Sequence, residues 1–458
     1  AWCRDSNQST DILPDASLWF RIILSPRRSS RIRSDQRYLL GCSAFCWSAN
    51  PRFSYPLHLS IRSDLATQPN LRLNMTISLR NLNIWDGHEF IPENSIDIEG
   101  DIISSIGFDL DNHKDSIDCS GMTAIPGLID AHVHLELNPD EKAAPKNLPS
   151  NISSLMAERA TKMARAGITT ARDLGGGNWH EIKLRDEIRK GLSLGPRLLC
   201  SGQPITSPGG HCHFWGGEAS NIDQAKEVLE RQRSKDVDLI KVMATGGRLT
   251  KGSSPLNPQF SVEELKEIVD TAHSHQLPVA AHCHGTEGIR YAAEAGVDTI
   301  EHCSWVGREG WASDFQIDVA HVIKKNNCRV SPTVNKGWSR MLEAQRKTTL
   351  SRLRDAYRQM KNLHIPLIAS TDAGIPGVYH EDLPDALAVF AQIAEFSPEQ
   401  ALRSATSISA KALGIDRITG SLAENKTADI LILDGNPLEN LGTLKNIYQV
   451  YTAGRKVT

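Results

Sequence analysis

A membrane-spanning run is missing from this chain: nowhere in its 458 residues does an apolar stretch approach the roughly 18 residues that a span requires, so no transmembrane anchor is expected. A surplus of one charge is missing too. The 51 basic and 54 acidic residues leave a net charge of −3, too little to gather nucleic acid or an acidic membrane, and the default partner becomes a small molecule. The nine cysteines contain no CxxC pair, which argues against a disulfide framework and a structural zinc ribbon and fits a reducing, cytoplasmic compartment. Lys and Glu are absent from residues 1–74, which carry ten Arg, many Ser and no sustained periodicity.

That first segment does not match the remainder. Met75 opens the strand-like Met75-Thr-Ile-Ser-Leu-Arg80, so the native start is expected at Met75, with residues 1–74 as upstream translated sequence. A targeting peptide is the competing reading; Arg and Ser favour it, but Asp5, Asp11, Asp15, Asp35 and Asp64 oppose it, because transit peptides are poor in acids.

What is present reads as one large domain and a smaller one. Short alternating segments at Asn81–Gly87, Ser95–Gly100 and Ile102–Ile106, punctuated by Gly and Asp, predict antiparallel hairpins. The same style returns at Gly420-Ser-Leu-Ala423, Ala428–Leu433 and Val450–Gly454, so residues 75–125 and 410–458 are expected to form one composite β domain, a small sandwich. Between them, strands and helices alternate. Strands are predicted at Leu128–His134, Ile168–Asp173, Arg197–Ser201, Leu239–Ala244, Val279–His284, Asp298–His302, Arg329–Val334 and Leu367–Asp372, with helical patterns between them and a capping box at Ser261-Val-Glu-Glu264. Eight such units, with no GxGxxG after the first strand, predict a (β/α)8 TIM-like barrel over residues 126–409 rather than an open doubly wound sheet.

In such a barrel, chemistry gathers at the C-terminal strand ends. The first strand ends in His132 and His134, which share a face because side chains alternate along a strand. One buried histidine is more often a satisfied core residue; two at strand spacing raise a metal reading to even terms with it. Further along lie Lys241 on the fourth strand, His282 and His284 on the fifth, His302 on the sixth and Asp372 on the eighth, while Cys283 and Cys303 alternate away as packing residues. Lys241 sits among Leu239, Ile240, Val242 and Met243, where an ammonium is costly unless paired or discharged. In isolation, snorkelling or a carboxylate partner is the plainer account. Beside four histidines and an aspartate, the neutral amine can instead take up carbon dioxide to give N6-carboxylysine, whose two oxygens can link two divalent ions. One ion would then be held by His132, His134 and Asp372, the other by His282 and His302, with a hydroxide shared between them. Imidazole and oxygen donors suit zinc, with manganese, cobalt or iron as alternatives.

Pro126-Gly-Leu-Ile-Asp-Ala-His-Val-His134, Ile240-Lys241, His282, His302 and Ser370-Thr-Asp-Ala-Gly374 together closely resemble the amidohydrolase superfamily, in its binuclear, carboxylated-lysine form. Ala171-Arg-Asp-Leu-Gly175, Ser207-Pro-Gly-Gly-His211, Met243-Ala-Thr-Gly-Gly247 and Gln259-Phe-Ser261 are similar to its imidazolonepropionase-like group, which includes Xaa-Pro dipeptidases (prolidase-like) and an ochratoxin-hydrolysing amidase. The resemblance implies attack of a metal-bridging hydroxide on an amide carbonyl, Asp372 moving the proton to the leaving nitrogen, and homo-oligomers. His284 is a candidate donor to the carbonyl oxygen, against a packed role. His211 and His213 are candidates for a substrate wall, against solvated loop histidines. Arg248 and Lys251 are candidates for capturing a substrate carboxylate, against plain exposed charge. Arg172 is read as support within the barrel. Deaminases of the superfamily carry an acid three residues after the fifth-strand His, where this chain has Gly285, which favours hydrolysis. A lactonase or phosphotriesterase on the same centre, and an inactive dihydropyrimidinase-like scaffold, stay open as alternatives.

Overall fold

A computed structural model describes residues 76–108, 116–143, 147–343 and 347–457; the expectations placed on residues 1–74 and on Met75 fall outside that range. Six strands come first: β1 (Thr76–Arg80), β2 (Asn83–Ile84), β3 (Ser95–Glu99), β4 (Ile102–Gly107), β5 (Ser116–Asp118) and β6 (Met122–Pro126). Seven strands of the predicted βα succession follow: β7 (Leu128–Val133), β8 (Ile168–Asp173), β9 (Arg197–Cys200), β10 (Ile240–Met243), β11 (Val279–Gly285), β12 (Thr299–Val306) and β13 (Arg329–Ser331). The C-terminal part adds β14 (Ile430–Asp434), β15 (Ile447–Thr452) and β16 (Arg455–Lys456).

The hairpin expectation holds for β3 and β4, which pair antiparallel, but β1–β5 and β2–β6 are parallel pairs that alternation alone does not reveal. Gly420–Ala423 forms no strand; Leu422 N donates to Asp86 O, and its side chain drops into the β-domain core instead. Strands from both flanks of the α/β region meet in the sheet β16-β15-β14-β6-β2, and one apolar core joins Leu79, Ile84, Ile96 and Ile98 to Ile430, Ile432 and Tyr451.

β7-β8-β9 and β10-β11-β12-β13 are two parallel sheets in sequence order, a TIM-barrel-like α/β arrangement. A bridge between Ile205 and Val242 joins them on one side. The predicted eighth strand is a correction: Leu367–Asp372 is not a continuous strand. Its donors go elsewhere, Ala369 N to Ser404 O and Thr371 N to the Asp130 carboxylate, and Asp372 is left-handed at φ 61°. The segment still sits in the eighth position, since Ile368 N donates to Val330 O, Ala131 N to Ala369 O and His134 N to Ala373 O.

Helices occupy the helical patterns expected between the strands. They are α1 (Ile152–Arg165), α2 (His180–Lys190), α3 (Ile222–Arg233), α4 (Val262–Ser274), α5 (Thr286–Ala295), α6 (Ile317–Lys325) and, after the short α7 (Ser339–Glu343), α8 (Lys347–Asn362). In α4 the buried residues Leu265, Ile268, Val269 and Ala272 make one face, and the Ser261–Glu264 capping box closes the N-terminus. Among the described residues, no helix is long and apolar enough to cross a membrane.

Candidate metal centre

His132 is the penultimate residue of β7 and His134 immediately follows the strand, with Nε2 atoms 3.3 Å apart, and each Nε2 lies 3.4 Å from Asp372 Oδ1. A second group forms from the last half of β11 and the middle of β12. The His282 ring lies 4.5 Å from both His284 and His302, and the latter two are 4.6 Å apart. In each triad one ligand atom per residue lies within 4.8 Å of the others, which is ligand spacing, and the His132 and His302 rings, 5.1 Å apart, join the two halves. His284, expected beside the centre as a donor, thus shares ligand spacing with His282 and His302.

Backbone twist makes this packing possible. His302, Cys303 and Trp305 have φ of 65°, 46° and 49°, a left-handed stretch that non-glycine residues adopt only when surrounding contacts enforce it. His302 is fixed there by a 2.8 Å contact between Nδ1 and Thr333 Oγ1.

Three ring tautomers follow from acceptors that can only accept. His132 Nδ1 donates to Glu301 Oε2 at 3.0 Å and His134 Nδ1 to Gly175 O at 3.1 Å, leaving each Nε2 as a lone pair toward Asp372. His282 Nε2 donates to Gly246 O at 3.2 Å, so its Nδ1 is the free donor atom. Burial, reinforced by neighbouring positive charge, holds His132 down to about 4 and His282 and His302 well below the ordinary imidazole range. Asp372 goes the other way from its burial: His132, His134 and Lys241 outweigh desolvation and keep the carboxyl ionised.

Lys241, on β10, is 1% exposed, and its Nζ has no hydrogen-bond partner among the described residues. Burial lowers it to about 8, against the pull of Glu301. Neutral imidazoles, one carboxylate and an orphaned amine that readily becomes neutral form a donor set suited to divalent cations, and they fit a metal better than an apolar core.

Glu301 escaped the sequence reading. Besides His132 it accepts from Arg172 Nη2 at 2.7 Å and Thr299 Oγ1 at 2.6 Å, while Arg172 Nε donates to Ala131 O at 2.7 Å. Arg172 thus has the supporting place expected of it. Glu301→Gln is expected to strand the buried guanidinium, lowering stability by about 3–5 kcal/mol and metal affinity roughly 10–100-fold through the loosened His132 ring. Denaturant titration of the apo-protein and competitive chelation of the loaded one check the two effects.

The candidate substrate residues separate in space. His211 is buried with its ring 4.5 Å from that of His282, whereas His213 packs its ring on Phe214. Exposed Arg248 lies over Trp311, 5.1 Å from the ring centre, and Trp311 stands edge-on to His284 at 5.0 Å. Trp311 lies in an irregular stretch beyond β12 and had no sequence signal. Lys251 is exposed and makes no salt bridge among the described residues.

The sequence profile described as the Amidohydrolase family matches residues 123–457. Ochratoxinase of Aspergillus niger is 24% identical over 457 residues, covering 90% of this chain and 92% of that one. Imidazolonepropionase of Aliivibrio salmonicida is 22% identical over 391 residues, covering 76% and 88%. Among solved structures, a Xaa-Pro dipeptidase with methionine bound in its active site superposes with a TM-score of 0.72 at 27% identity, covering 83% of this chain and 99% of that one. A. niger ochratoxinase superposes at 0.69 with 22% identity, covering 83% and 95%, a likeness of fold.

Proposed function

The chain belongs to the amidohydrolase family, and from that premise we propose that it is a metal-dependent hydrolase that opens the C–N amide bond of a dipeptide or N-acyl amino acid. The observation that carries this reading is the pair of ligand-spaced triads flanking a buried, unpartnered lysine. In it, His132, His134 and Asp372 would hold one divalent ion and His282 and His302 a second, with His284 beside it, and Lys241 as N6-carboxylysine would supply oxygen donors to both; zinc suits these donors. When bound, such ions supply Lewis acidity and a water of lowered pKa. Asp372, ionised and within 3.4 Å of two ring nitrogens, accepts the proton of the attacking water and delivers it to the leaving nitrogen. Ser304 Oγ lies 3.0 Å from His284 Nδ1; when that hydroxyl donates, His284 Nε2–H is left to face the carbonyl oxygen. Residues 126–409 form the hydrolase domain in this reading, and residues 75–125 with 410–458 form the flanking β sandwich.

Deamination fits less well. A Cβ at Gly285 would lie 2.9 Å from Pro255 O, so the acid that the superfamily's deaminases carry there has no room. Arg248 supplies the carboxylate anchor, its guanidinium carbon held over the Trp311 ring. Arg248→Ala is expected to raise KM about 10-fold for substrates with a free carboxylate, the worth of one exposed charge-assisted hydrogen bond, and to spare their amidated counterparts. Equal effects on both would remove the anchor.

The test of the whole reading is one metal-supplemented preparation assayed on dipeptides, N-acyl amino acids, lactones, organophosphates and ring amines, with its metal content measured. Amide hydrolysis with about two divalent ions per chain is expected of a two-ion centre. Turnover confined to lactones or organophosphates would replace the amide reading, and a metal-free chain without turnover would make it a scaffold.

A further inference from the structure

The loop after β9 brings to the centre a histidine that the chemistry above leaves idle. His211 is buried, its ring tilted 37° against that of His282 at 4.5 Å, and it interacts electrostatically with Asp372, Lys241 and His134 across the other half of the centre. It belongs to neither ligand-spaced triad. Neither ring nitrogen has a hydrogen-bond partner among the described residues, and Nδ1 is fully buried. An unsatisfied polar atom in so enclosed a place is retained where something binds it.

The surroundings hold this ring in place. His211 N donates to Gln259 Oε1 at 2.7 Å, and Gln259 Nε2 donates to Met243 O at 2.6 Å, tying the loop to the strand that carries Lys241. Two glycines admit the arrangement: a Cβ at Gly210 would lie 2.1 Å from Gln259 Oε1, and one at Gly247 would lie 2.5 Å from His211 Cε1 and Nε2. A solvated loop histidine needs none of this.

We infer that His211 is a catalytic residue whose imidazole N–H donates a hydrogen bond to the carbonyl oxygen of the scissile amide as negative charge develops there. The inference rests on the amide-hydrolase reading. The proton stays on the ring. The charge it steadies returns to re-form the carbonyl as the C–N bond breaks, and the leaving nitrogen takes its proton from Asp372. A donor of this kind binds the transition state more than the ground state, which separates it from a substrate wall.

The test uses the metal-loaded full chain and the best amide of the panel. His211→Leu is expected to lower kcat roughly 10²–10³-fold, the usual effect of losing one such donor, with KM little changed. Metal content stays at the parent value. Affinity for a phosphonate analogue of the substrate falls in step with kcat/KM, while affinity for the amino-acid product holds. His211→Asn, which keeps an N–H donor, recovers part of the rate, and Gly247→Ala reproduces the loss with the histidine still present by displacing its ring. An unchanged kcat, metal lost together with activity, or equal weakening of phosphonate and product binding would each overturn the inference while leaving the amidase reading intact. Absence of amide turnover by the parent enzyme would overturn both.

Discussion

Lys241→Met is expected to give a chain that folds at least as well as the parent, binds fewer divalent ions and turns over roughly 10³-fold or more slowly. The stability part follows from burial. The side chain is 1% exposed and its Nζ has no hydrogen-bond partner among the described residues; the pull of Glu301 and Asp372 offsets the desolvation of the ammonium only in part, and the amine is still lowered to about 8. A thioether of similar length fills the same space, and replacing a poorly compensated buried charge by a fitting apolar group is neutral or stabilising by about 1–4 kcal/mol. The catalytic part follows from position. Lys241 acts electrostatically on His132 and Asp372 of one triad and on His282 and His302 of the other, so its charge reaches both. Without the carbamate oxygens that the proposed centre draws from Lys241, Lewis acidity worth several kcal/mol would be lost, and each 1.36 kcal/mol is about tenfold in rate. Thermal melting, metal analysis and kcat on one preparation separate the effects. A Met variant with full metal and full turnover would strip Lys241 of its linking role.

Asp372→Asn is expected to lower kcat by about 10²–10⁴-fold, the range for removing a positioned acid–base group, while much of the metal stays with His132 and His134. The substitution isolates chemistry from structure. Asp372 has φ 61°, a conformation asparagine adopts as readily as aspartate, and Asp372 N still donates to His132 O at 2.9 Å. The amide is nearly isosteric but does not accept and release a proton near neutral pH. Circular dichroism and metal content should match the parent within error; near-normal rates would assign proton movement to another group.

Much of the centre was legible from two local signals. Strand alternation placed His132 beside His134 and His282 beside His284, and a cation within Leu239–Met243 marked Lys241. Helix positions followed from apolar spacing, and the Ser261 cap appeared where expected. What failed to show in the sequence depends on broken periodicity. Alternation turns Glu301 away from His302, yet Glu301 bonds His132 while His302 packs 5.1 Å from the same ring, because the left-handed turn at residues 302, 303 and 305 redirects the chain. No propensity scale announces a histidine with positive φ. Trp311 and Arg248 meet from separate loops, and the eighth segment loses its ladder to the Asp130 and Ser404 acceptors. Each of these is a tertiary effect that no short window of sequence contains.

Asp130 accepts from the Thr371 hydroxyl at 2.6 Å across a separation of 241 residues, and Asp372 stands beside that bond. Contacts of such span come late in folding, because loop closure must precede any gain from them. A chain emerging from the ribosome therefore holds two histidines of the first triad long before it holds the carboxylate that completes the set. In the proposed metal centre, cation uptake by that triad would report finished folding, because the ion would stabilise only the molecule in which the segments carrying Asp130 and Thr371 have already met.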